Sequence, residues 1–174
     1  IMTDTAKGKS VNIAVLTVSD TRTEENDKSG DTLVERLKNA GHLLVEKRIV
    51  KDELSLLKET LKEWIDSSEV DVIIATGGTG VTGRDVTPEA FECLYEKAIP
   101  GFGELFRSLS YQNIKTSTMQ SRATAGVANG TFLFALPGST GACKDAWDMI
   151  IVHQLDSNHK PCNLVDLMPR LMEK

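Results

Sequence analysis

A chain of 174 residues with 40% hydrophobic side chains can bury most of the surface its unfolded form would expose, and its length suits one domain. Twenty basic residues against 25 acidic ones give a net charge of -5, with no basic run and no aromatic platform to follow a phosphodiester backbone, which argues against nucleic acid as a partner. No apolar stretch reaches the roughly 18 to 20 residues of a membrane span, so no membrane partner is expected and the location is expected to be cytoplasmic.

The opening "IMTDTAKGKSVN" lacks the apolar core of a signal peptide. Ile1 ahead of Met2 reads as a vector or processing remnant with Met2 the natural start. Residues 1–11 are expected to be a disordered or tag-derived N-terminus, and residues 12–174 a single domain. "VNIAVLTVS" (residues 11–19) is a β-branched apolar run of the kind that forms a buried parallel strand. "DTLVERLKNAG" then spaces Leu33, Leu37 and Ala40 as a helix does, with Gly41 as its C-cap. "HLLVEKRIV" predicts a second strand, and Leu57, Leu61, Trp64 and Ile65 mark a helix after Asp52.

"VDVIIATGG" predicts the third strand. Thr87-Pro88-Glu89 predicts a helix with Thr87 as N-cap and Pro88 at the first helical position, running to about Lys97 and broken by Pro100-Gly101. "GFGELFRSLS" predicts a short helix, "TFLFALPGS" a strand meeting a turn, and "ACKDAWDMIIVHQL" the closing helix. The tail from Asp156 reads as irregular. Trp64 and Trp147 fall on apolar helical faces and are assigned to core packing. Strands alternating with helices give an α/β fold, a three-layer α/β/α sandwich with a mainly parallel sheet.

Cys93, Cys143 and Cys162 are too scattered for a disulfide framework or a zinc site and are read as reduced thiols. His42, His153 and His159 form no cluster, so a soft-metal centre is not expected. In a parallel sheet, ligands bind beyond the carboxyl ends of the strands. Three loops there are rich in Gly, Ser, Thr and Asp: "TVSDTRTEENDKSG", "ATGGTGVTGRDVTP" and "ALPGST".

Gly78 to Gly83 formally match G-x-G-x-x-G. A dinucleotide fingerprint, however, closes the first strand, enters its helix at once and is followed about 20 residues later by an acid. None of these holds, and no Walker A signature occurs. Gly77, Gly78 and Gly80 still let backbone N–H groups converge on an anion where a Cβ would obstruct it, so ligand binding is favoured over a purely structural loop. Asp52, at the end of the second strand, is either a helix N-cap or a catalytic acid. Asp85, in the glycine loop, is either a turn former or a functional acid. Both fall on one side of the sheet and could share a magnesium ion with a triphosphate. Ser121 and Arg122 in "SRATAG", and Gly138, Ser139 and Thr140 at a helix N-terminus, serve equally well as turns and caps or as anion contacts.

Taken in order, "LTVSDTR", "DKSG", "VKDE", "TGGTGVTGRDVTPEA", "PGFGELFR", "QSRATAG" and "LPGST" closely resemble the motifs of the molybdopterin adenylyltransferase family of molybdenum-cofactor biosynthesis proteins. The resemblance runs from about Asn12 to Leu167, and "TSTMQSRATAGVANGTFLFALPGSTGAC" with "PCNL" is most similar to the B-type branch. It implies a molybdopterin-binding domain and a nucleotidyltransferase that moves AMP from Mg-ATP to the terminal phosphate of molybdopterin, releasing pyrophosphate and preparing the dithiolene for metal insertion.

By matching motif, Asp52 and Asp85 would be the magnesium and catalytic carboxylates. Gly77, Gly78, Thr79, Gly80, Gly138 and Ser139 would cradle ATP, and Ser19, Asp20, Ser29 and Ser121 would lie near the pterin or its phosphate. The resemblance also implies a homotrimer or homohexamer and a molybdate-insertion enzyme as a downstream partner. The competing class is a pterin-binding relative that has lost turnover, or a scaffold of the same family. Retention of both acids favours the enzyme.

Overall fold

β1 (Asn12–Val18) lies between two parallel neighbours, β2 (Leu43–Val50) and β3 (Val72–Thr76), and β6 (Thr131–Leu136) pairs in parallel with β3. The computed structural model describes residues 8–174. Residues 1–7, where most of the expected N-terminal segment falls, lie outside the described residues. Packing begins ahead of the expected boundary at residue 12: Val11 is buried, and its N–H donates to Nδ1 of His42 at 3.2 Å.

The residues of β1, β3 and β6 are buried on both faces because helices cover both. Ile13, Val15, Val72, Ile74, Phe132 and Phe134 meet Leu33 and Leu37 of α1 (Lys28–Asn39), Phe102 and Phe106 of α4 (Pro100–Ile114), and Trp147 beyond α5 (Thr140–Ala146). Ala14, Leu16, Ile73, Ala75, Leu133 and Ala135 meet Leu57, Leu61 and Trp64 of α2 (Leu54–Ile65) and Phe91 of α3 (Thr87–Glu92). Strand alternation therefore splits the core into two halves, and the three-layer α/β/α expectation holds. Both tryptophans are buried as expected.

Beyond β6 the sheet continues with β5 (Thr124–Ala128) and then β4 (Lys97–Ala98), giving the order β2-β1-β3-β6-β5-β4, in which β5 runs antiparallel to both of its neighbours. β5 and β6 form a hairpin around Asn129-Gly130, both at positive φ, which periodicity reading passed over. The helix expected to run to Lys97 stops at Glu92, and Lys97–Ala98 is instead the short edge strand β4. Thr87 is not its N-cap; Val86 is, and the Thr87 hydroxyl donates to the Gly77 carbonyl. Pro100-Gly101 does not break a helix but opens α4, because proline at a first helical position lacks only an N–H that would have no partner there.

α1 starts at Lys28, where Asp27 caps it by accepting the Gly30 N–H. It ends with Gly41 N–H on Lys38 and His42 N–H on Leu37, the Schellman arrangement. Because β1, β2, β3 and β6 run in parallel, the loops after all four emerge at one end of the sheet.

Candidate active site

The loop after β3 has a shape that only glycine permits. Gly77 has φ +105, and a Cβ there would stand 2.2 Å from the Val18 carbonyl oxygen. Gly78 has φ +67 and is packed as tightly against the Thr87 hydroxyl. Gly77 N–H donates to Leu136 at 2.9 Å, and a Cβ on Gly138 would come within 3.3 Å of Gly77 Cα. The loops after β1, β3 and β6 thus touch through their backbones.

Asp52 and Asp85 stand along this loop. A Cβ on Gly78 would meet Asp52 Oδ1 at 3.0 Å, and one on Gly80 would meet Asp85 Oδ2 at 2.7 Å. Asp52 is not a helix cap: Glu53 holds the N-cap position of α2, and no side chain caps it. Burial pushes the Asp52 carboxyl up, and nearby Asp20 and Asp85 push it further, against the pull of Arg84. Asp85 does form a turn, accepting the Thr82 N–H at 2.9 Å and the Thr82 hydroxyl at 2.7 Å. Asp20 accepts the Asp52 N–H at 3.1 Å, and the Arg84 guanidinium paired with it holds its carboxyl below the ordinary range.

Much of the remaining polar machinery shapes the loops. Arg122 donates Nε to the Gly80 carbonyl at 2.8 Å and Nη2 to the Asp85 carbonyl at 2.9 Å, and pairs with Glu89. Its own N–H reaches the Thr79 carbonyl at 2.9 Å, and the Thr79 side chain is buried. Ser29 Oγ donates to the Gly138 carbonyl at 2.7 Å, joined there by Arg22 at 2.9 Å. Ser19 Oγ accepts the N–H groups of Thr21 and Arg22, and Ser139 caps α5 by accepting the Ala142 N–H. The buried Asp27 binds Thr17, Arg22 and Lys47. Its burial raises the carboxyl, but the Thr17 hydroxyl, the Gly30 N–H and Lys47 outweigh that and leave it below the ordinary range.

Two open grooves meet at Arg122. One of about 430 Å³ runs past Thr82, Asp85 and Glu89; the other, of about 450 Å³, lies between α4 and β5 and includes Arg107 and Ser121. Ser121 Oγ is a buried polar atom with no hydrogen-bond partner among the described residues. Among the described residues no three His, Cys, Asp or Glu side chains gather into a metal cage. Two carboxylates beside a glycine loop instead fit a hard cation that keeps its waters and arrives bound to phosphates.

The sequence reading brought the two acids and the glycines together correctly in space, and it weighed Arg122 without assigning it. It missed Asp27, Arg22 and Glu89. Asp27 carried a legible signal, an acid three residues ahead of Gly30 where a helix opens.

The family model described as "Probable molybdopterin binding domain" matches residues 14–157, a stretch that takes in every candidate site residue. The chain belongs to the molybdopterin-binding domain family. Within that family it is 51% identical over 151 residues to molybdenum cofactor biosynthesis protein B of Escherichia coli K12, covering 87% of this chain and 89% of the relative. The protein of the same name from Bacillus subtilis is 45% identical over 146 residues, covering 83% and 86%. Among solved members, a crystal structure of molybdenum cofactor biosynthesis protein B superposes with a TM-score of 0.83 at 45% identity, covering 85% of this chain and 92% of that one. The tungsten cofactor synthesizing protein MoaB of Pyrococcus furiosus gives 0.75 at 38% identity, covering 82% and 91%. These likenesses put the chain in the B-type branch of the family.

Proposed function

We propose that this protein acts in molybdenum cofactor biosynthesis as a molybdopterin adenylyltransferase, transferring AMP from Mg-ATP to the terminal phosphate of molybdopterin with release of pyrophosphate. The observation that carries the reading is the placement of Asp52 and Asp85 along one glycine loop at the carboxyl end of the parallel strands, where α/β sheets bind their ligands. In this reading a terminal phosphate oxygen of molybdopterin forms a bond to the α-phosphorus of ATP. The bond from that phosphorus to the β-bridging oxygen breaks, and pyrophosphate leaves. The nucleophile is already an anion, so no base is needed, and positioning with charge neutralisation supplies the catalysis.

Asp52 and Asp85 would hold magnesium, which supplies neutralisation of the charge building on the polyphosphate. The backbone of Gly77, Gly78, Thr79 and Gly80, with Gly138 and Ser139, takes the nucleotide. Ser19, Asp20 and Ser29 border the pterin phosphate from the loop after β1, with Ser19 and Ser29 acting chiefly on the backbone there. Ser121, whose buried hydroxyl has hydrogen-bonding capacity to spare, lines the groove beside α4, which we assign to the pterin. Incubating the purified protein with Mg-ATP and molybdopterin tests the reading. Adenylylated molybdopterin is the expected product, and its absence from a protein that binds both substrates favours the pterin-binding relative without turnover.

A further inference from the structure

Two arginines border the acidic loop, and they are held very differently. Arg122 spreads its donors over the Gly80 and Asp85 carbonyls and Glu89, so it works as a fixed strut. Arg84, immediately ahead of Asp85, commits its fork to one carboxylate on another loop. Its Nε and Nη2 reach the two Asp20 oxygens at 2.9 to 3.1 Å. The Arg84 side chain is 62% exposed and that of Asp20 38%, so this pair ranks among the weakest ways to hold a loop together.

The same planar fork fits phosphate as well as carboxylate. We propose that Arg84 is a phosphate-binding residue parked on Asp20: a triphosphate entering along the glycine loop draws its guanidinium off Asp20, and the uncovered Asp20 carboxylate adds its negative charge beside Asp52 and Asp85 for the accompanying cation. The inference rests on the nucleotide reading above.

Charge arrangement favours the exchange. Asp20 and Asp85 both press on Asp52, and Arg84 acts on both Asp20 and Asp52, with Lys51 acting on Asp20 as well. A divalent cation arriving there with Arg84 still in place would be repelled, whereas transfer of the guanidinium to phosphate separates the two positive charges. Asp20 keeps its place when Arg84 leaves, because it also accepts the Asp52 N–H at 3.1 Å. Arg84 has room to move, its side chain being largely exposed.

The test compares wild type, Arg84→Gln and Arg84→Lys by calorimetry with two probes, α,β-methylene-ATP plus Mg²⁺, and Mn²⁺ alone, with melting temperatures recorded alongside. Arg84→Gln should bind the triphosphate roughly 10-fold to 100-fold more weakly, the usual effect of losing hydrogen bonds to a charged group. It should bind Mn²⁺ alone several-fold more tightly, because the competing cation is gone. Arg84→Lys should regain part of the triphosphate affinity and return Mn²⁺ affinity toward wild type. Equal triphosphate affinity in wild type and Arg84→Gln, or Mn²⁺ binding that is equal or weaker in the variant, overturns the exchange alone. A wild-type protein that binds no α,β-methylene-ATP overturns the nucleotide reading and the exchange with it.

Discussion

A carboxylate that folding both desolvates and sets beside other carboxylates is strained by its own charge, and Asp52 is such a residue. Its folded pKa is raised, so the folded state holds the proton more tightly than the unfolded state. Stability then falls as pH rises through the carboxylate range, and the penalty is fully present at neutral pH. Asp27 has the opposite sign: its lowered pKa contributes stability above the ordinary carboxylate range that is lost as acid titrates it. Asp52→Asn should therefore melt higher than wild type at pH 7, with the difference closing as pH is lowered, as thermal melts across that range would show. A lower melting temperature for Asp52→Asn at pH 7 contradicts this.

Asp85 separates turn from chemistry in a different way. An asparagine there still accepts from the Thr82 N–H and hydroxyl, so the turn survives while the charge is lost. Asp85→Asn should keep its melting temperature and lose adenylyl transfer by a factor on the order of a thousand. A variant that melts early yet still makes product would sink the catalytic assignment. Both acids could be picked from the sequence because they sit at strand ends in loops of small polar residues. Arg122 could be weighed but not assigned, since its partners at Gly80 and Asp85 lie 42 and 37 residues away.

At the scale of elements, the loop between β3 and α3 carries the argument, and its glycines are not equivalent. Gly78→Ala forces a Cβ against the Thr87 hydroxyl at φ +67, and the left-handed backbone alone costs an alanine about 1 to 2 kcal/mol. The same substitution at Gly83 meets open space and should stay within about 0.5 kcal/mol of wild type. Denaturant melts and α,β-methylene-ATP titrations of the pair should show both stability and nucleotide binding falling in Gly78→Ala alone. Equal behaviour of the two variants contradicts the cradle.

β1, β3 and β6 were legible as apolar runs bounded by turn residues, and β2, whose Glu46, Lys47 and Arg48 interrupt its apolar ends, by its place between two helical patterns. β5 was not: "TAGVA" has little β propensity and is stabilised by its place beside β6, although the Asn129-Gly130 turn was there to be read. Pro100-Gly101 was ambiguous for a similar reason, since proline ends one helix and begins another with the same chemistry.

At the scale of the whole molecule, no helix among the described residues is long and apolar enough to cross a membrane. α4 nevertheless exposes Leu105, Tyr111 and Ile114, and Met119 follows just beyond it. From the family resemblance and this apolar surface we expect a homotrimer or a dimer of trimers. Light scattering over a range of concentrations checks this, and a stable monomer contradicts it.

Adenylyl transfer itself is tested most directly with ATP labelled at the α-phosphate, mixed with magnesium, molybdopterin and the purified protein, with Asp85→Asn run alongside. The label should move to the pterin one-for-one with pyrophosphate release in wild type and stay in ATP in the variant. Label remaining in ATP with wild-type protein that demonstrably holds both substrates, or moving equally well with Asp85→Asn, contradicts the account.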